Sequence, residues 1–132
     1  MTTTEHAGSP AQLMTLFAER AANGDAVGLI GLYEPGAVFE PEFGTVLRGV
    51  DEFRPALTEL AQLRPRIDYA GEPDVVIVGD IAIVSNLWTM TAELPDGTRL
   101  REGGVSADVL RRQRDGSWLV LIDQPRGATL NQ

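Results

Sequence analysis

Residues Asp96 to Asp123 read DGTRLREGGVSADVLRRQRDGSWLVLID. Two Asp-Gly pairs, Asp96-Gly97 and Asp115-Gly116, separate runs rich in valine, leucine and isoleucine, the pattern of hairpin turns between strands. Working outward, strands are predicted over about 67–79, 81–94, 98–113 and 117–124. Gly103-Gly104 interrupts the third run and is expected to mark a bulge that bends the sheet.

Upstream the pattern changes to helical spacing. Ser9, then Pro10, then Gln12 three residues after the serine, forms a capping-box start with proline at the first helical position. Leu13, Leu16, Phe17 and Ala21 follow on one face. Asn23-Gly24 ends that helix, and Asp25 caps a second short one carrying Val27, Leu29, Ile30 and Tyr33. After Pro35-Gly36, short strands are expected at Ala37–Pro41 and Thr45–Arg48. A third helix runs from Gly49-Val50-Asp51 to about Leu63, with Phe53, Leu57, Leu60 and Ala61 as its buried stripe and Pro55 in its first turn. Helices first and a strand meander afterwards give an α+β fold. About three N-terminal helices pack on one curved antiparallel sheet, making a cone that encloses a cavity.

The chain has 132 residues, 43% of them hydrophobic, which suits one domain over 1–132 with residues 1–9 and 128–132 as flexible tails. A net charge of −8 argues against nucleic acid, whose phosphates select clustered cations. Arg111, Arg112 and Arg114 cluster beside a turn and read as a solvated strand end. No apolar run is long enough to span a membrane and no apolar signal core follows Met1, so a cytoplasmic protein is expected. Cysteine and lysine are both absent, which removes thiolate and Schiff-base chemistry. The single histidine, His6, falls in the expected tail, so neither a serine–histidine–aspartate relay nor a histidine–zinc site is expected, and no cofactor or metal is implied. What remains for proton chemistry is carboxylates, tyrosines and arginines.

Registering the hairpins makes the reading specific. If both Asp-Gly pairs are two-residue turns, Ser85 faces Asp108, and Asp108 faces Asp123. A row Ser85, Asp108, Asp123 then crosses three strands, bracketed by Ile83, Leu110 and Leu121 on one side and by Leu87 and Ser106 on the other. Opposed carboxylates stand about 5 Å apart at Cβ, so in a buried face one acid should stay protonated near neutrality. A protonated acid can donate to a developing oxyanion. A three-residue turn with a bulge would break this register. The other face would carry Val84, Trp88, Val105, Val109, Trp118, Val120 and Ile122, and an apolar second face predicts a homodimer through the sheet.

The order helix, Asn23-Gly24-Asp25, second helix, Tyr33-Glu34-Pro35-Gly36-Ala37-Val38-Phe39, third helix and meander resembles the NTF2-like superfamily. Its SnoaL-like and ketosteroid-isomerase-like branch is similar also in the ending Arg114-Asp115-Gly116-Ser117-Trp118 through Asp123-Gln124-Pro125-Arg126-Gly127. The resemblance covers about residues 11–127. It supports fold more than activity, because this fold hosts isomerases, cyclases, epoxide hydrolases and non-catalytic modules.

Residue by residue, the ketosteroid-isomerase pattern implies a tyrosine on the first helix, where Phe17 stands, and a base near Pro41, flanked by Glu40 and Glu42. It also implies a protonated aspartic acid on a late strand, where Asp108 stands. Epoxide hydrolases of this fold imply an arginine between two aspartates. Asp123 matches one of these, but strand 81–94 offers only Ser85, Leu87 and Thr89. SnoaL-type polyketide cyclases imply an aspartate acid or base. The expected catalytic residues are therefore Asp108, Asp123 and Glu40, and the expected substrate contacts are Phe17, Phe39, Phe53, Tyr69, Ser85 and Leu87. Tyr33 reads as a core residue with its hydroxyl at the edge. The expected ligand is a small, mostly apolar, polyketide- or steroid-like carbonyl compound undergoing isomerase or cyclase chemistry. A non-catalytic binding module or dimeric scaffold is the alternative, with an epoxide hydrolase a third reading.

Overall fold

A computed structural model describes residues 5–127. Among them are three helices, α1 (Pro10–Ala22), α2 (Ala26–Ile30) and α3 (Val50–Leu63). Nine strands accompany them: β1 (Tyr33–Glu42), β2 (Thr45–Arg48), β3 (Arg66–Tyr69), β4 (Asp74–Val78), β5 (Ile81–Ser85), β6 (Leu87–Glu93), β7 (Arg99–Val105), β8 (Ala107–Arg112) and β9 (Trp118–Gln124). The predicted tails lie partly outside the described residues. Within them, Ala7 is buried and its carbonyl accepts from the Trp118 amide, so residues before α1 already join the core.

The helix starts follow local chemistry. Ser9 Oγ accepts from the Gln12 amide at 3.1 Å, and an Asp25 carboxylate oxygen accepts from the Gly28 amide at 2.8 Å, so each cap satisfies one orphan donor. The second helix ends at Ile30, three residues short of the Tyr33 that helical spacing includes, and Tyr33 opens β1 instead. Helix α3 begins at Val50, which places Pro55 beyond the expected first turn. The helix gives up one backbone bond there and is held by Phe53 and Leu57, buried in the core with the sheet, and by Ala61, buried with Ala21 and Leu29 of the first two helices.

The sheet is mixed rather than wholly antiparallel, and it divides in two. Six strands run in the order β2-β1-β9-β8-β5-β4 and three in the order β3-β6-β7. The β1–β9 pair is parallel, because the chain passes through the whole meander before β9 returns to β1. The expected strand 67–79 splits into β3 and β4. The long hairpin 81–113 breaks at Asn86 on one arm and Ser106 on the other, where Ser106 N donates to Asn86 O at 2.8 Å. Both arms bend at one level, so the break lies at Asn86 and Ser106 and not at Gly103-Gly104. Those two glycines keep regular register with Thr89 and Trp88, and a Cβ at Gly103 would stand 2.9 Å from the Trp88 carbonyl oxygen.

Both Asp-Gly turns have three-residue loops. Leu94 N donates to Thr98 O across the first and Gln113 N to Ser117 O across the second. Gly97 and Gly116 take φ of +86° and +87°, the left-handed conformation that closes such a loop. The first turn therefore moves the register by one residue: Val84, not Ser85, faces Asp108, and Ser85 faces Asp74. After the second turn the same shift holds through Leu110–Val120. A bulge at Leu121 then absorbs one residue, and Asp108 does face Asp123.

This changes which residues share a face. Ala82, Val84, Leu110, Trp118 and Val120 point into the core with Leu13, Leu16, Leu32, Phe53 and Leu57. Val84, Trp118 and Val120 thus lie on the inner face and not on the outer face that two-residue turns predict. In their place Val76, Val78, Ile81 and Ile83 stand exposed there, on the strand face shared with Val109 and Ile122.

Candidate functional site

The helices close over the inner side of the sheet and leave a cavity of about 350 Å³. Leu13, Met14 and Phe17 of α1 line it with Ala56, Leu57, Leu60 and Leu63 of α3, facing Phe39, Ile67, Trp88, Met90, Leu100 and Val120 from the strands. The polar wall is small and comprises Tyr33, Tyr69, Asn86, Ser106, Asp108 and Asp123, with Glu42, Glu59, Glu102 and Arg126 also on the lining.

Asp108 and Asp123 form the centre of that polar wall. Cross-strand pairing fixes them side by side, and their carboxyls are hydrogen-bonded to one another. Asp108 is 6% exposed and accepts from the Gln124 amide at 3.1 Å. Burial, and then the Asp123 charge, push the Asp108 carboxyl well above the ordinary carboxylate range. Burial also raises Asp123, but hydrogen bonds from Asp108 and Tyr33 hold it back. The pair therefore retains one proton to higher pH than free carboxylates do, with Asp108 its main holder and Asp123 the charge.

Tyr33 is the residue that sequence reasoning missed. Its ring packs between Phe17, Phe39 and Phe53 at centroid distances of 6.5, 6.3 and 5.2 Å, while its hydroxyl donates to Asp123 Oδ2. Burial and the Asp123 charge raise its pKa well above the ordinary phenol value, so it remains a donor. The available signal was the helix end: once Tyr33 opens β1 opposite Val120, it points inward beside β9. Tyr69 donates to the Met14 carbonyl at 3.2 Å, and burial, then the charges of Asp108 and Asp123, raise it too.

The other expected site residues fall in three places. Phe17, Phe39 and Tyr69 lie on the cavity wall with the two aspartates. Phe53 is fully buried behind the wall, against Tyr33. Ser85 and Leu87 are not on the wall, because the turn shift gives their place to Asn86. Ser85 Oγ donates to Ser106 O, and Leu87 is 54% exposed. Glu40 is also off the wall: its carboxylate accepts from Gln124 Nε2 at 3.1 Å and from the Gly44 amide at 3.2 Å, while Pro41 and Glu42 line the cavity. At one end Arg126 lies over the Trp88 ring at 5.9 Å and pairs with Glu102, and Trp88 Nε1 donates to Pro125 O at 2.7 Å. No group of three metal-ligating side chains occurs among the described residues.

A family model described as the SnoaL-like domain matches residues 7–120. The chain belongs to the SnoaL-like domain family. Among solved structures, an NTF2-like superfamily protein from Salmonella enterica superposes with a TM-score of 0.76 at 14% identity, covering 92% of each chain. A protein of unknown function from Mycobacterium tuberculosis is similar at 26% identity and a TM-score of 0.70, over 87% of this chain and 67% of that one. A candidate ketosteroid isomerase from Shewanella frigidimarina is similar at 19% identity and a TM-score of 0.68, over 85% and 89%. No curated protein matches the chain. The SnoaL-like fold thus carries, in this chain, a buried acid pair on the polar wall of a mostly apolar cavity. No described helix is long and apolar enough to cross a membrane.

Proposed function

We propose that the cavity binds a small, mostly apolar carbonyl compound, polyketide- or steroid-like, and moves a proton on it by carboxylate acid–base chemistry. The observation that carries this reading is the Asp108–Asp123 pair, buried with Tyr33 on the wall of an apolar cavity. Keeping two acids there is costly for a purely structural surface. Asp123, ionised and steadied by Tyr33, takes the proton α to the carbonyl. The electron pair of the broken C–H bond moves onto the carbonyl oxygen, which accepts a hydrogen bond from protonated Asp108. Return of the proton to another carbon of the enolate completes an isomerisation, and attack of the enolate on a second carbonyl of the same molecule would complete a cyclisation.

The test is exchange of α-protons for deuterium on a panel of cyclic enones, followed by mass spectrometry. Asp123→Asn, which removes the base, should abolish exchange, and Asp108→Asn, which replaces the acid by a weaker amide donor, should slow it. Either variant matching wild type on a confirmed substrate refutes the assignment.

A non-catalytic binding module is the second reading, and one observation favours it. The wall positions that the isomerase resemblance gives to a tyrosine and a base hold Phe17 and Pro41, which carry no side-chain polar group. Under this reading ligand binds and no exchange occurs.

The exposed row Val76, Val78, Ile81 and Ile83 supports a homodimer through the outer face of the six-stranded sheet. Sedimentation of a monomer at micromolar concentration would refute it.

A further inference from the structure

The bend in the long hairpin leaves one polar group unexplained by the acid pair. Asn86 sits where β5 gives way to β6, is 4% exposed, and forms part of the cavity wall. Its backbone is locked to Ser106 on both sides, with Asn86 N donating to Ser106 Oγ at 3.0 Å and Ser106 N donating to Asn86 O at 2.8 Å. Its side-chain Nδ2 is buried and has no hydrogen-bond partner. A buried donor without an acceptor is a net cost to the folded state, and a cavity-lining position gives that cost a use when an acceptor arrives with the ligand.

We propose that Asn86 is a ligand-binding residue whose Nδ2 donates to the same ligand oxygen that accepts from Asp108. This rests on the carbonyl reading above and deepens it by naming the second donor. Position favours a shared oxygen over two separate ones. Asn86 lies opposite Ser106, and Asp108 follows two residues later on the same face, so the two side chains are diagonal neighbours about 7 Å apart. Both reach inward from the backbone, and an oxygen between them lies within hydrogen-bond range of each. The selected ligand atom is an acceptor: carbonyl, enolate or phenolic oxygen. An ammonium or other donor-only group would leave Nδ2 unmatched. The chemistry needed from Asn86 is a neutral donor that does not compete with the pair for its single proton. An amide supplies this, whereas a third acid would not. The donor also stands in for the hydroxyl that Phe17 lacks.

The test uses 2-naphthol and naphthalene, which share a ring system and differ by one oxygen, titrated into the full chain by calorimetry. Wild type should bind 2-naphthol more tightly than naphthalene. Asn86→Leu should weaken 2-naphthol about tenfold, the worth of one hydrogen bond, and leave naphthalene unchanged or tighter. It should also raise the melting temperature, since it removes an unmet buried donor; a merely structural asparagine would lower it. Asn86→Ala serves the same comparison of the two probes if the leucine variant does not fold. If 2-naphthol binds the variants as it binds wild type, the role of Asn86 is overturned while the cavity reading stands. If wild type binds neither probe, the inference and the carbonyl reading fall together.

Discussion

Removing the Tyr33 hydroxyl tests how the acid pair divides its proton and charge. Tyr33→Phe keeps the ring that packs on Phe53 at 5.2 Å and on Phe17 and Phe39, and deletes the group that donates to Asp123 Oδ2. A hydrogen bond to an ionised partner contributes about 1.5–3 kcal/mol, and one between neutral groups about 0.5–1.5 kcal/mol. The variant should therefore lose about 1.5–3 kcal/mol of stability at pH 8, where Asp123 carries the charge. It should lose roughly 1 kcal/mol or less at pH 3.5, where both acids are neutral. The assay is urea unfolding at the two pH values, with carboxyl ¹³C shifts recorded across the same range. Because the Tyr33 bond lowers the Asp123 pKa, its loss must raise the Asp123 midpoint. A cost that is equal at both pH values, or a midpoint that stays or falls, would show that the hydroxyl does not hold an ionised Asp123, and the division of roles within the pair would be wrong.

Asp108 has a folded pKa above its unfolded value, so its contribution is undiminished below about pH 4 and stability falls as pH rises towards the folded pKa. Asp108→Asn, whose amide oxygen can still accept from the Gln124 amide, should be more stable than wild type at pH 8 and show no such gain at pH 3.5 in urea melts. Gly103→Ala forces a Cβ to within 2.9 Å of the Trp88 carbonyl, a backbone atom that cannot turn aside. It should cost about 1–3 kcal/mol in urea unfolding and disturb Trp88 fluorescence. Phe53→Ala opens a void behind Tyr33 and should cost about 3–5 kcal/mol, measured the same way. Ile83→Glu, at a position 56% exposed, should leave the fold intact and convert the proposed dimer to a monomer in sedimentation.

Much of the architecture was legible because local chemistry and global fold agree. Ser9 and Asp25 cap the helices they were expected to cap, and the Phe53, Leu57, Ala61 stripe is buried. What was not legible was set by contacts remote in sequence. Tyr33 lies four residues after Leu29 and three after Ile30, at helical spacing, yet its backbone is claimed by β9, whose residues are about 90 positions away. No periodicity in a short window reports that pairing, so a residue of the site was read as helix and core. The same distance hides the parallel β1–β9 contact, which turns an expected antiparallel sheet into a mixed one.

The acid pair was legible for a subtler reason. Strand faces alternate with period two, so a turn one residue longer than assumed moves every inward residue of the following strand to the other face. At Asp96-Gly97 that error stands uncorrected: Ser85 and Leu87 were placed inward, and the wall instead holds Asn86, Trp88 and Met90. At Asp115-Gly116 the same error occurs, but the bulge at Leu121 returns the missing residue before Asp123 is reached. The bulge has a chemical consequence. Were Leu121 paired in the ladder instead of bulged out of it, Asp123 would turn to the outer face, where water would satisfy it, and Asp108 would be left alone in the cavity with no partner to share its proton. Deleting Leu121 removes the extra residue itself, so Ile122 still meets Val109 and Asp123 still meets Asp108 in a now regular ladder, and the coupling between the two titrations should survive. Carboxyl ¹³C titration of the deletion variant reads this directly. Two midpoints that no longer move together would mean that the bulge itself, and not the register it restores, sets the pair.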